Sequence, residues 1–305
     1  MMPRRKQRGF VLLMVLVVVV LAAAAMVGMV QRSMLQAVHV KARSGQLQRK
    51  WAVRSMQQSL MGRLPEILDR HDQARLAGSS GQGDQVGLQV RLAGREYRLV
   101  VTDQQARVNV NSLRIGRSQG ETESLLRRLV GPDSAAAVEL AALPENQLQD
   151  APSLARPIGA WGQIFPHAGP ADLLGVSGRP GLTARITCFS DGRINLARAD
   201  GESVRTLCNQ ALTPAVVDAL LTARDHQPDG NLGDWIGQLD QISQRDAHEI
   251  RRWLTDRSEC FGLWIVTSNG ARTWYHFAVG RVRPAARPDG DGPVNEVSNV
   301  EVYGW

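Results

Sequence analysis

Residues 10–30 read FVLLMVLVVVVLAAAAMVGMV, an uncharged run that directly follows a short basic leader ending in Gly9. At about 1.5 Å of rise per residue, a helix of this run is roughly 30 Å long, enough to cross the hydrocarbon core of a bilayer. We therefore predict a membrane helix at 10–30 in a single-pass protein that is anchored in a lipid bilayer.

A second pattern follows the apolar run without a helix breaker. No proline occurs between Pro3 and Pro65. Apolar residues then recur at the spacing of an amphipathic helix: Met34, Leu35, Val38, Leu47, Val53, Met56, Leu60 and Leu64. The sequence predicts one helix of roughly 80 Å from Phe10 to about Leu64, whose second half packs one stripe onto a soluble domain. Two alternatives stay open: two abutting helices, and a secretory signal peptide cut within the alanines at 22–25.

The distribution of charge argues against a nucleic-acid partner. The formal net charge is +7, but much of the basic charge lies in the leader and on the long helix. These residues are Arg4, Arg5, Lys6 and Arg8 in the leader, and Arg32, Lys41, Arg43, Arg49, Lys50, Arg54 and Arg63 on the helix. The rest of the chain is net acidic by about four charges. Because DNA-binding domains present clustered basic surface, we expect no nucleic acid among the partners.

The pattern beyond the long helix predicts an α+β fold. A loop at 71–87 precedes a hairpin of strands at 86–92 and 96–101 around Ala93-Gly94, continuing at 107–110. Three further strands return near the carboxyl end, at 261–267, 273–282 and 297–303. Strand, helical block and strand in sequence predict a large, mainly helical domain inserted into a small antiparallel sheet domain.

The helical block has its own predicted boundaries. Helices are expected at 121–131 and 133–143, an irregular loop at 144–181, a strand at 182–189, and mostly helix at 201–257 with starts at Thr213 and Ser243. The predicted divisions of the chain are a leader at 1–9, a membrane helix at 10–30, its continuation at 31–64, a sheet domain at 86–112 and 259–305, and the insertion at 113–258.

Candidate chemical sites are few. His248-Glu249 is not part of an HExxH motif, and no GxSxG or P-loop pattern occurs. Cys260 and the distant His276 would supply a thiol and a base, but the position of Cys260 inside an apolar strand favours core packing. Core or interface positions are also expected for Trp235, Trp253, Trp264 and Trp274. We predict no enzymatic activity, no catalytic residue, no cofactor and no metal site.

The leader resembles the class III signal of type IV pilins and type II secretion pseudopilins, in which a glycine precedes the cut and a phenylalanine opens a long helix. The resemblance implies cleavage between Gly9 and Phe10 by the prepilin peptidase on the cytoplasmic side, and methylation of the new amine of Phe10. The membrane helix then stays in the mature protein, inserted in the inner membrane with the bulk of the chain in the periplasm. The three cysteines would meet an oxidising compartment there, and Cys188 and Cys208 form either a disulfide or buried thiols.

Most subunits of this class carry a glutamate at the fifth mature position, where this chain has Met14. In the family that carboxylate neutralises the terminal ammonium of a neighbouring subunit, and an unpaired charge in lipid is costly. The K-type minor pseudopilin, of the general secretion pathway protein K family, is similar in lacking the glutamate, which suits the filament tip. Small residues in the membrane run, Ala22 to Ala25 and Gly28, would let neighbouring helices approach closely.

The resemblance to the K-type pseudopilin extends to two asparagine-bearing segments, DQQARVNVNSL at 103–113 and ITCFSDGRINLARAD at 186–200. It departs from the family pattern at Ala197-Arg198-Ala199, where a threonine is usual. Some relatives bind calcium in the helical region; here Asp225, Asp229, Asn231 and Asp234 could offer oxygen ligands, but their spacing does not match an EF-hand and favours a solvated turn.

The function implied by the resemblance is that of a minor pseudopilin at the tip of the type II secretion pseudopilus, supporting protein export across the outer membrane. The implied partners are the I- and J-type minor pseudopilins, the major pseudopilin, the prepilin peptidase and the inner-membrane assembly platform. Two alternatives remain: a minor pilin of a type IV pilus, and a secreted binding or hydrolase domain with a cleavable signal peptide.

Overall fold

The computed structural model describes residues 6–76, 84–141, 157–175, 179–239, 242–285 and 294–304. The chain divides into two compact units, one up to Ser55 and one from Met56 onward. The first unit is helical throughout its described part, and the second contains the sheet and the inserted helices.

One unbroken helix, α1 (Lys6–Leu60), begins the chain. This confirms the predicted continuity and excludes two abutting helices. The helix is long and apolar enough to cross a membrane, and none of the residues at 10–30 is buried. Of the predicted stripe, Met34, Leu35, Val38 and Leu47 are exposed, whereas Val53 and Met56 are buried.

Helical structure continues beyond the predicted end at Leu64. A 3₁₀ turn at Met61–Arg63 leads into α2 (Leu64–Leu76), so the loop predicted from residue 71 is wrong at its start. Pro65 falls in the first turn of α2, where its missing N–H has no intrahelical partner to lose. Leu64 and Leu68 are fully buried, and α2 contacts the first two strands of the sheet. Burial of these leucines stabilises the extra helix.

The first hairpin forms as predicted. Strands β1 (Gln85–Leu92) and β2 (Arg95–Asp103) pair antiparallel around Ala93-Gly94. Both turn residues have positive φ, 50° for Ala93 and 74° for Gly94, as a tight two-residue hairpin requires. On β2, Tyr97, Leu99 and Val101 are buried on one face and Val100 on the other. The sheet is therefore covered on both faces.

The insertion after β2 is mainly helical. Its elements are β3 (Val108–Asn109), α3 (Val110–Leu113), α4 (Gln119–Val130), α5 (Pro170–Leu174), β4 (Ile186–Thr187), β5 (Ile194–Asn195), α6 (Gly201–Cys208), α7 (Pro214–His226), α8 (Leu232–Gly237), α9 (Gln244–Trp253) and β6 (Leu254–Thr255), with 3₁₀ turns at Pro132–Ala137 and Trp161–Gln163. Two short parallel pairs, β3 with β4 and β5 with β6, join segments far apart in sequence. The predicted helix starts are confirmed, with Thr213 and Ser243 at the N-cap positions of α7 and α9.

Two predicted elements of the insertion are wrong in extent. The helix predicted at 133–143 is only the 3₁₀ turn, because Glu139 and Ala141 donate their N–H groups to the carbonyls of Ile164 and Gln163, at 3.0 and 2.9 Å. The strand predicted at 182–189 is only β4, because Leu182 and Thr183 donate to Asp172 and Leu173 of α5. Residues 142–156 and 176–178, within or beside the predicted loop, lie outside the described residues.

The sheet is completed by β7 (Cys260–Ser268), β8 (Thr273–Ala285) and β9 (Val294–Gly304), in the antiparallel order β1-β2-β7-β8-β9. β9 begins at Val294, earlier than predicted. One hydrophobic core joins the face of the sheet that carries Val100, Trp264 and Phe277 to the inserted helices. The opposite face contacts α2 and the preceding 3₁₀ turn. The structure is thus α+β, with a long N-terminal helix and a helical insertion between β2 and β7, as the sequence predicts.

Candidate functional site

The two asparagine-bearing segments meet at the end of β2. We call this cluster the motif junction and define it as Asp103, Gln104, Gln105, Asn109, Asn195 and Arg198. Five of these six residues are polar and buried: Asp103, Gln104, Gln105, Asn109 and Asn195. Burying polar groups is costly unless each is hydrogen-bonded, so the bonding of this cluster decides what it does.

Asp103 is fully buried at the end of β2. Its Oδ1 accepts the backbone N–H groups of Gln105 and Ala106, at 2.8 and 3.2 Å. Its Oδ2 accepts from the Ser258 hydroxyl at 2.5 Å and the Asn195 amide at 3.3 Å. The carboxylate therefore holds together the turn after β2, the strand β5 and the segment before β7.

Arg198 makes ion pairs with three carboxylates. Its Nη1 lies 3.2 Å from Asp103, its Nε lies 2.6 Å from Asp72, and its Nη2 lies 2.6 Å from Asp69. The arginine side chain is only 8% exposed. Burial lowers the pKa of Arg198, but the charges of the three carboxylates outweigh burial and raise it above its ordinary value. This arginine joins the insertion to both α2 and the sheet.

The side chains of the two asparagines are hydrogen-bonded within the junction and its neighbouring turns. Asn109 donates to the carbonyl of Ser190 at 2.6 Å and caps α3 by accepting from Asn111 N–H at 2.8 Å. Asn195 donates to the Ser258 hydroxyl at 2.7 Å and accepts from Ala197 N–H at 3.0 Å. Each asparagine therefore fixes the turn that follows its own short strand.

The two glutamines link β2 to the insertion. The Gln104 amide donates to the Thr102 hydroxyl and accepts from the Thr187 hydroxyl, both at 2.8 Å. The Gln105 side chain donates to Asp191 at 3.0 Å and accepts the backbone N–H of Glu259. With these bonds satisfied, the motif junction acts as a structural joint that sets the position of the insertion on the sheet.

Sequence reasoning found the asparagine segments but missed the role of Arg198, which it noted only as a departure from a family pattern. Its partners Asp69 and Asp72 lie in α2, beyond the predicted end of the long helix. A signal for this continuation of the helix was present in the sequence. Asp69 and Asp72 follow Leu64 and Leu68 at helical spacing.

The predicted processing and assembly residues all lie on α1. Gly9 and Phe10 are helical, and Phe10 is 65% exposed. Met14, Ala22 and Ala25 are exposed, Gly28 is half-buried, and the space around Gly28 is open. The assembly residues thus lie along a helix surface that no described side chain fills. Their roles in processing and assembly stay predictions.

The cysteines, His276 and the tryptophans considered from the sequence do not form a reactive site in the structure. Cys260 pairs with Arg281 across β7 and β8, whereas His276 pairs with Ile265, which separates the thiol and the imidazole by about 17 Å along the strands. Cys208 is a free, buried thiol, so no Cys188–Cys208 disulfide forms. Trp235, Trp253 and Trp264 are buried as predicted, and Trp274 is half-buried.

Three of the four residues that could offer oxygen ligands to calcium, Asp225, Asn231 and Asp234, make other contacts in the structure. Asn231 and Asp234 form a reciprocal capping box at the start of α8, with both bonds at 3.1 Å. Asp225 lies 2.8 Å from Arg224. Within the described residues, no group of three or more histidine, cysteine or acidic side chains is placed to hold a metal ion.

Known proteins that resemble this chain were found only among solved structures. No protein family model matches the chain, and no curated protein matches it. Among solved structures, the chain is similar to a chain in the crystal structure of the GspK-GspI-GspJ complex from the type 2 secretion system of enterotoxigenic Escherichia coli. The sequence identity is 13%, the TM-score is 0.46, and the match covers 87% of this chain and 99% of that chain.

Proposed function

We propose that this protein is a non-enzymatic subunit anchored in the inner membrane, namely a K-type minor pseudopilin at the tip of a type II secretion pseudopilus. The observation that carries the proposal is α1. Within α1, an exposed apolar run begins at Phe10 after Gly9, and the helix continues unbroken to Leu60. A removable signal peptide has no need of such continuity.

The absence of acid from the membrane run supports the tip position. Residues 10–30 contain no aspartate or glutamate, and Met14 occupies the fifth mature position. A subunit inside the filament uses a carboxylate there to neutralise the amine of its neighbour, because an unpaired charge in lipid is costly. A subunit with no predecessor to pair with has no use for that carboxylate.

The insertion supports a capping role. It shares one core with the sheet, and the motif junction ties it to the sheet and to α2. A bulky domain held this firmly is suited to the end of a filament, in contact with the I- and J-type minor pseudopilins, and less suited to the repeated lateral packing of a shaft. Contact with secreted cargo or the outer-membrane channel follows from that position.

The proposal is tested by deleting the gene in its host and complementing with the wild type, with Met14→Glu, and with Met14→Leu as a matched control. We expect the deletion to abolish the release of secreted proteins into the medium without loss of surface pili. Leucine should restore secretion, and glutamate should restore it poorly because its charge would lie unpaired in lipid. Loss of pili with intact secretion would favour the minor-pilin alternative and contradict the proposal.

A further inference from the structure

A polar cavity of about 460 Å³ lies between the first hairpin and the segment that follows α5. Three arginines contribute to its lining, Arg98 from β2, Arg107 from the turn before β3, and Arg179 from the segment after α5. No aspartate or glutamate is among the described residues that line the cavity. The cavity therefore presents an excess of positive charge.

Arg107 forms the inner end of this positive charge. Its side chain is 2% exposed, and its Nη2 pairs with Asp84 at 3.2 Å. Its Nε is buried and has no hydrogen-bond partner among the described residues. A buried donor of this kind costs free energy until an acceptor reaches it.

Arg98 and Arg179 form the outer part of the cavity. Both side chains are exposed, and neither makes an ion pair with any described residue. By contrast, Arg185 of the same segment pairs with Glu202 at 2.6 Å. Two exposed guanidinium groups that line one cavity and make no ion pair of their own are suited to binding a carboxylate.

The cavity reaches an edge of the sheet, because Gln85 and Gly87 of β1 are among its lining residues. β1 is the terminal strand in the order β1-β2-β7-β8-β9. Gly87 of β1 lies opposite Val100, and Gln89 lies opposite Arg98, so these positions share the face that lines the cavity. A Cβ at Gly87 would meet nothing within 4 Å. Gly87 thus lines the cavity without contributing a side chain to it.

We propose that this cavity is a binding site for an acidic side chain of an extended peptide segment from a partner protein, laid along β1. An edge strand pairs readily with an added extended segment. A residue of that segment opposite Gly87 points its side chain over the glycine, and its carboxylate accepts hydrogen bonds from Arg98, Arg179 and the Nε of Arg107. The site is independent of the tip position and would serve any partner that presents such a segment.

The test uses the full chain in detergent and a capped, fluorescent peptide of about eight alternating valine and glutamate residues. A peptide with glutamine in place of glutamate, and inorganic phosphate, serve as comparison ligands. The variants are R98Q/R179Q, Gly87→Val, and a control, R128Q/R272Q, which removes the same charge from two exposed arginines outside the cavity. Circular dichroism establishes that each variant keeps the fold.

We expect the glutamate peptide to bind the wild type and the control alike, and to bind R98Q/R179Q and Gly87→Val about tenfold more weakly or worse. The glutamine peptide should bind with similarly reduced affinity. Equal binding of the two peptides, an equal loss in the control variant, or binding of phosphate without binding of the glutamate peptide would each overturn the proposal. Absence of any peptide binding would overturn it as well.

Discussion

At the scale of single residues, we expect Arg198 to contribute strongly to the stability of the fold. Its guanidinium neutralises Asp103, whose carboxylate is fully buried. Removing the arginine would leave that carboxylate buried without a cationic partner, which typically costs about 3–5 kcal/mol. We therefore expect Arg198→Ala to lower the free energy of unfolding by this amount, measured by chemical denaturation of the full chain.

The matched control for Arg198 is Arg205→Ala. Arg205 lies 2.9 Å from Asp218, but the two side chains are 51% and 58% exposed. Exposed pairs contribute about 0–1 kcal/mol. Equal effects of the two substitutions would show that the buried ion pairs do not hold the insertion in place.

Cys208 supplies a second prediction at this scale. Burial raises the pKa of its thiol to about 12. Because the thiolate is the reactive form, the folded protein should resist alkylation near neutral pH. In a C188S/C260S variant we expect iodoacetamide to modify Cys208 only after denaturant is added, with mass spectrometry as the measurement. Rapid labelling of the folded variant would contradict the buried position.

At the scale of elements, the turn between β4 and β5 depends on one glycine. Gly192 has φ of 98°, and a Cβ there would lie 2.3 Å from the Ser112 hydroxyl oxygen. Positive φ with a steric clash typically costs about 1–3 kcal/mol. We expect Gly192→Ala to destabilise the protein in this range, measured by thermal denaturation.

Gly120 is the control for that substitution. It lies in α4, and an added Cβ would meet nothing within 4 Å. Alanine is favoured over glycine inside helices by up to about 1 kcal/mol. Gly120→Ala should therefore leave the stability unchanged or raise it. Similar destabilisation by both alanines would refute the assigned role of the turn.

The membrane helix carries the prediction about assembly. Ala22, Ala25 and Gly28 offer small side chains where a neighbouring helix would approach. Replacing all three with leucine should reduce co-purification with the proposed I- and J-type partners from membranes, whereas leucine at Val20, Val27 and Val30, on the opposite face of the helix, should not. Unchanged co-purification of the first variant would show that assembly does not use this surface.

Patterns local in sequence predicted these elements well, and interactions between distant segments account for the failures. The long helix, the first hairpin, and the starts of α7 and α9 follow from apolar spacing, turn residues and caps. The helix expected at 133–143 fails because Glu139 and Ala141 bond to the 161–164 segment. No pattern within residues 133–143 predicts these hydrogen bonds to the distant segment.

Across the whole molecule, the site was predicted only in part. The sequence drew attention to the segments at 103–113 and 186–200, but the joint they form depends on Arg198 reaching Asp69 and Asp72 of α2. That contact could not be found while the helix was expected to end at Leu64. The cavity with Arg98, Arg107 and Arg179 depends in the same way on a segment after α5 meeting the first hairpin.

The central claim is that the mature protein begins at Phe10 and keeps the rest of α1. It is tested most directly by intact mass and N-terminal sequencing of the protein purified from membranes of cells with and without prepilin peptidase. We predict a methylated Phe10 start that requires the peptidase. A start after the alanines at 22–25, or one that does not depend on the peptidase, would contradict the account.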